Sequence, residues 1–168
     1  MTWNMAKLIN AISNTSPLLY LYRVGVIDFL PDLFGEIWTP EAVKRELLTG
    51  EENGYVVPKL ADYPWLQIVN PQVLPSEWLS LDLGPGELAA MSLAIENNHR
   101  IVLLDDMLAR RTAHAAGLQV WGTLKVLLEL KRQGFIKSIE PIVSKLSDAG
   151  MWVSKEVKLR ILVLAGEL

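Results

Sequence analysis

The residues of this chain with the clearest chemical potential are carboxylates in unusual places. Asp105 follows the apolar run Ile101-Val102-Leu103-Leu104 with no residue between, a pattern that delivers its side chain to the carboxyl end of a buried strand. Asn14 ends the apolar stretch 7–13 (KLINAIS) in the same way. Glu46 lies four residues after Ala42 and three after Val43, on the apolar face of a helix opened by Thr39, Pro40 and Glu41. Ionised carboxylates are rarely buried without a partner, and the adjacent Lys44 and Arg45 are expected to point elsewhere. Glu87 begins a helix face continued by Ala90, Met91 and Ala94. Each of these residues also has an ordinary role open to it. Asn and Asp after a strand shape turns and cap helices, Glu46 can find a long-range salt bridge, and an acid in a first turn complements the helix dipole.

Three acids drawn from a strand end and two helix faces repel one another and raise each other's pKa, a penalty that a shared hard cation such as Mg2+ or Mn2+ removes. Such an ion supports attack of water on a phosphodiester by acidifying the water and neutralising charge on the phosphoryl oxygens. No single acid is specific for this chemistry. Other classes fail on particular residues. The chain has no Cys, which excludes thiol catalysis, zinc-thiolate sites and disulfide frameworks. Its two histidines, His99 in a polar turn and His114 within a helix, are not placed like a hydrolase base. A receiver-type phospho-acceptor needs its acidic pair after the first strand, whereas this pair is Asp105-Asp106. Gly84-Pro85-Gly86 lacks the Lys and the preceding strand of a nucleotide phosphate loop.

The elements that must position these residues are legible from periodicity and punctuation. A buried strand over 7–13 leads to a helix with Ser16 as cap and Pro17 at its first position, stopped by Gly25. A short helix spans 26–34, Ile37 and Trp38 form a strand, and the helix from Pro40 runs to about Leu48, ended by Gly50. An exposed connection over 49–64 precedes a strand at 65–69, and 71–85 is mostly loop. Gly84-Pro85-Gly86-Glu87 opens a helix to about Asn98. Then come a strand at 101–104, a helix at 107–116 ending at Gly117, a strand at 118–121, a helix capped by Thr123 that reaches Gly134, and helices near 140–147 and 154–165. Strands alternating with helices, and continuously apolar, indicate a parallel sheet covered on both faces. Ligands then bind beyond the carboxyl ends of the strands.

With 168 residues and 51% hydrophobic composition, a single domain over 1–168 is expected, the helices of 140–168 extending it. No segment approaches an apolar membrane span and the first residues lack a signal-peptide core, so a cytoplasmic protein with no membrane association is expected. The net charge is -3, but it is unevenly spread. Residues 1–99 hold 5 basic and 12 acidic residues, and residues 100–168 hold 11 and 7, which leaves room for a basic face toward a polyanion.

The combination resembles the PIN-domain family, and within it the DUF3368 subgroup related to VapC toxins. It rests on Ser13-Asn14-Thr15-Ser16-Pro17-Leu18, on Pro40-Glu41-Ala42-Val43 followed by Glu46, on Gly84-Pro85-Gly86-Glu87 with Ala90, and on Leu103-Leu104-Asp105-Asp106 followed by Arg110-Arg111, Ala113 and Gly117. Gly122-Thr123-Leu124, Lys131 and Gly134 continue it, so that it covers residues 7–167. The resemblance implies a three-layer α/β/α fold with a central parallel sheet and Mg2+- or Mn2+-dependent ribonuclease chemistry. By it, Glu46, Glu87 and Asp105 match the catalytic metal ligands, Asp106 a frequent second acid that tunes the site, and Thr15, Ser16, Arg110 and Arg111 contacts to RNA. The sequence departs from the family pattern at Asn14, where Asp is usual. Asn keeps a neutral carbonyl oxygen for a metal but loses a charge and cannot take a proton, so weakened catalysis, or a binding module without turnover, is the alternative. Lys125, Lys131 and Arg132 are further candidates for the rim, with Lys131 and Arg132 fitting better a solvated helix end, where cations suit the helix dipole. A small antitoxin as partner and a homodimer are also implied, the latter in keeping with six Trp in so short a chain.

Overall fold

The computed structural model describes residues 8–74 and 82–168. Five strands form one parallel sheet: β1 (Ile9–Ser13), β2 (Phe34–Thr39), β3 (Leu66–Ile68), β4 (Ile101–Leu103) and β5 (Val120–Trp121), in the order β3-β2-β1-β4-β5. Parallel neighbours need crossover segments. Helices supply them: α1 (Thr15–Arg23) and the short α2 (Leu30–Leu33) between β1 and β2, α3 (Glu41–Glu52) after β2, α4 (Pro85–Glu96) before β4, and α5 (Met107–Ala115) between β4 and β5. Then α6 (Thr123–Arg132), α7 (Glu140–Leu146) and α8 (Lys155–Leu164) complete the chain.

Strand periodicity sorts the side chains between two cores. Ala11, Ile37, Ile101 and Leu103 face one core with Leu18, Val43, Leu127 and Leu162, whereas Ile12, Val102 and Leu104 face a second with Ala90, Met91, Ala109 and Ala113. The first core is covered by α1, α3, α6, α7 and α8, the second by α4 and α5. This is the three-layer α/β/α arrangement expected from the sequence. No helix of the described residues is long and apolar enough to cross a membrane.

Several boundaries differ from the expected ones, each for a local reason. The first helix begins at Thr15, with Asn14 and not Ser16 in the cap position. The helix expected over 26–34 is a 3-10 turn (Ile27–Phe29) followed by α2, because Pro31 sits at its first turn and Phe34 already belongs to β2. Gly50 does not stop α3. The helix continues to Glu52, and the reversal falls on Gly54, whose φ of 85° favours glycine. Thr123 is the first residue of α6 and Gly122 occupies its cap position, a shift with consequences for the site. The loop expected over 71–85 lies partly outside the described residues, as does Lys7 of the first strand.

One polar contact fixes the outer layer. The Glu167 carboxylate accepts from Lys131 Nζ (2.8 Å), from Ser138 Oγ (2.6 Å) and from the backbone N–H groups of Ile139 (2.9 Å) and Glu140 (3.0 Å). Burial pushes its pKa up, but these four donors outweigh it and bring the pKa down to about 2. A lowered carboxylate pKa stabilises the folded state above the ordinary value of 4.5 and loses that contribution as pH falls toward about 2. Glu167→Gln is therefore expected to cost about 2 kcal/mol at neutral pH, after allowance for solvent screening. The deficit should shrink as pH falls from 4.5 toward 2, which chemical denaturation at a series of pH values measures. An equal cost at every pH would refute the charge-based account.

Candidate active site

The winding of the sheet reverses at β1 and β4, and a parallel sheet has its ligand crevice beyond the strand ends at such a reversal. Asn14 stands at the end of β1, and its N–H donates to the Leu103 carbonyl at 3.1 Å, which ties the first strand to the fourth at this spot. On the other side the Thr39 hydroxyl donates to the Ser13 carbonyl at 2.8 Å. Asn14 is only 4% exposed. Although it caps α1, its side chain makes no capping bond, and its Oδ1 has no hydrogen-bond partner among the described residues.

Glu46 owes its place on the apolar face of α3 to the packing of α3 against α1 and α4. The Thr15 hydroxyl, from the first turn of α1, donates to its Oε2, and the Gly86 N–H, from the first turn of α4, donates to its Oε1 at 2.8 Å. The half-buried carboxylate is thus held by neutral donors, and no salt bridge to it occurs among the described residues. Gly86 is required by the closeness of this approach. A Cβ there would stand 2.5 Å from Oε2 and 2.8 Å from Oε1.

Asp105 is clamped more completely. The Thr123 N–H donates to Oδ1 and the Thr123 hydroxyl to Oδ2, both at 2.7 Å. The N-terminus of α6 also suits a negative charge. Burial raises the Asp105 pKa, while the two Thr123 bonds and the nearby Arg110 guanidinium pull it back without cancelling the rise. Arg110 and Asp105 flank the same space beside Gly122. Asp106 is exposed and caps α5, its Oδ2 accepting from the Ala109 N–H at 2.9 Å.

Glu87 is the third residue of α4 and is half-buried. Its pKa is raised, first by burial and then by the charges of Asp106 and Glu46, against a lowering bond from the Gly84 backbone. Glu87 is thus near enough to Asp106 and to Glu46 for their charges to act on it. The Oε2 of Glu87 has no partner among the described residues.

The other candidates lie as follows. Thr15 joins the site through Glu46. Ser16 is half-buried beside it on α1. Arg111 lines a surface groove between α4 and α5 together with Met91, Ile95 and Leu108. Lys125 pairs with Glu129 and lies over the Trp121 ring, Arg132 pairs with the same Glu129, and Lys131 holds Glu167. Thr123 is the functional residue that sequence reasoning missed. A Thr between Gly122 and an apolar helix has the signature of a cap, and only the juxtaposition of β4 with β5 shows that its donors serve Asp105.

The donor set suits a hard divalent cation. It consists of oxygens alone, without thiolate or imidazole, and two buried oxygens, Asn14 Oδ1 and Glu87 Oε2, have no donor among the described residues. Among the described residues no three acidic or histidine side chains stand close enough to hold an ion by themselves. That is compatible with Mg2+, which keeps several waters and takes one or two carboxylates from the protein.

No curated protein matches the sequence. The model of the DUF3368 family, a PIN domain, matches residues 10–167. The chain therefore belongs to this PIN-domain family, whose members are in general metal-dependent nucleases acting on nucleic acids.

Proposed function

We propose that this protein is a Mg2+- or Mn2+-dependent endoribonuclease of the VapC-like toxin type, hydrolysing RNA phosphodiester bonds beyond the ends of β1 and β4. The observation that carries this reading is the pair of buried oxygens without a partner among the described residues, Asn14 Oδ1 at the end of β1, where the Asn14 N–H is tied to Leu103, and Glu87 Oε2, whose carboxyl feels the charge of Asp106 next to the clamped Asp105. Asp105, Glu46 and Glu87 are the candidate ligands in this reading, one or two of them binding the ion directly and the rest through its waters, with Asn14 a weak neutral ligand and Asp106 an acid that tunes the site. The bound ion would acidify water and offset phosphoryl charge. Thr123 fixes both oxygens of Asp105, and Thr15 and Gly86 fix those of Glu46, so these acids need no reorganisation when substrate arrives. Glu87, whose carboxyl is pushed upward, is suited to carry a proton to or from the reacting oxygens. Arg110 sits where it can meet a phosphate.

Asn14 itself favours a second reading, a PIN domain that binds nucleic acid without turnover, because the neutral carboxamide gives a metal no charge. Cleavage of a mixed RNA panel with Mn2+, Mg2+ or chelator separates the two. The nuclease reading expects metal-dependent cleavage by the native protein. Cleavage by Asn14→Asp alone would establish the binding module, and no cleavage by either would refute the enzymatic reading of the scaffold. We further propose that the protein is cytoplasmic and homodimeric, with a small antitoxin bound near the crevice. The dimer is supported by exposed aromatic surface such as Trp152, 83% accessible. Sedimentation showing only monomer at high concentration would overturn the dimer.

A further inference from the structure

Two cavities meet along the seam between α3 and α4. One, of ≈ 390 Å³, opens beside Glu46, and the other, of ≈ 340 Å³, continues past Leu88 to Asn70. Ala42, Arg45 and Pro85 line both, so the two form a single groove that leaves the acidic crevice at Glu46. Each falls within the volume range of ligand sites, roughly 300–1,000 Å³. Arg45 lies on the ridge they share. It is exposed and takes part in no ion pair among the described residues. Both oxygens of Glu46 are already engaged by Thr15 and Gly86, so among the described residues Arg45 is a cation of the groove without an acidic partner. Glu41 stands at its far end, where the Asn70 carboxamide oxygen accepts from the Glu41 N–H at 2.8 Å.

Arg110 lies beside Asp105, and Arg45 lines the cavity that opens at Glu46. On the ribonuclease reading, a guanidinium with no acidic partner among the described residues, above an apolar floor at the exit of the acidic crevice, matches one nucleotide unit. The cation takes a backbone phosphate and the floor of Ala42, Pro85 and Leu88 takes the face of a base. A duplex keeps its bases stacked and cannot place one there, which selects an unpaired strand.

We propose that the groove between α3 and α4 is the track of a single RNA strand leaving the acidic crevice, with Arg45 gripping a backbone phosphate and an unpaired base lying on the apolar floor. This rests on the ribonuclease reading and adds to it the route of the strand and the role of Arg45.

The test is fluorescence anisotropy of a 5′-fluorescein single-stranded RNA of mixed sequence, in chelator so that nothing is cleaved, across a salt series. Arg45→Ala is expected to weaken binding about fivefold and to make the slope of log K against log salt shallower by about 0.7, the signature of one lost phosphate contact on a single strand. Arg45→Lys should restore the slope but not all of the affinity, since an ammonium lacks the planar fork. Lys155→Ala, on the distant α8, should change neither. A native protein that binds RNA, with an Arg45→Ala variant that keeps its affinity and slope, would overturn the track while leaving the nuclease reading intact, and would assign the groove to another occupant such as a protein segment. A native protein that neither binds nor cleaves RNA would overturn both.

Discussion

Asp105→Asn is expected to lower metal-dependent cleavage by about 10³-fold, the scale of losing a preorganised charge in a water-poor site. The background is the native protein, or Asn14→Asp if only that variant cleaves. Asn preserves the shape of the side chain and still accepts one of the two Thr123 bonds, so the loss is one of charge and not of folding. The charge is costly without a cation. Burial holds the Asp105 pKa above its ordinary 3.8, so the metal-free protein loses stability as pH rises from 3.8 through the raised value. The neutral variant escapes that cost and is expected to melt no lower than the native protein at neutral pH without metal. Thermal unfolding in chelator, beside initial cleavage rates in Mn2+, measures both quantities. A variant that retained a tenth of the activity would remove Asp105 from the chemistry. A variant that unfolded well below the native protein would show its charge to be structural.

Gly86→Ala is expected to reduce cleavage by about 10²-fold, without touching any group that carries chemistry. The added methyl would stand 2.5 Å from Glu46 Oε2 and 2.8 Å from Oε1, so the carboxylate must swing away. In doing so it surrenders the Gly86 N–H bond and strains the Thr15 bond. Displacements of about 1 Å at a reacting centre cost on this order. The backbone of α4 accepts Ala readily, and helix propensity alone favours the change by up to about 1 kcal/mol. Activity and stability should therefore part company. The Mn2+ affinity from calorimetry should fall while far-UV circular dichroism stays unchanged. Native-like activity in Gly86→Ala would mean that Glu46 has room to adjust and that its held position is immaterial.

The site is written unevenly in the sequence. Asp105 is legible because four apolar residues precede it directly and a buried strand delivers the next side chain to its carboxyl end. Glu46 is legible as an anomaly, an acid at helical spacing among apolar neighbours, but the neutrality of its partners is not, since Thr15 and Gly86 lie 31 and 40 residues away. Thr123 gives a misleading local signal. The features that mark a cap are the same ones that let a hydroxyl and an N–H converge on a carboxylate from another strand. Helical spacing sets Arg45 off the buried stripe of Val43 and Leu47, but the cavities it lines along the seam with α4 depend on residues more than 24 positions away and are not legible in the sequence. The layer architecture is carried by the alternation of apolar strands and capped helices, whereas boundaries at Pro31 and Gly50 depend on tertiary packing that no local pattern carries.

The position of β1 also bears on how the molecule acquires its shape. This first strand is the middle of the sheet, and its second partner, β4, begins at Ile101. Closing so long a loop delays the reward of pairing, so folding is slow compared with a chain of local contacts. On a ribosome, the edge of β1 that will receive β4 stays unpaired while the intervening residues are made. The bond from the Asn14 N–H to the Leu103 carbonyl forms only at that late closure. The crevice is therefore assembled late in sheet formation, and a nascent chain carries no competent site until its fourth strand has docked.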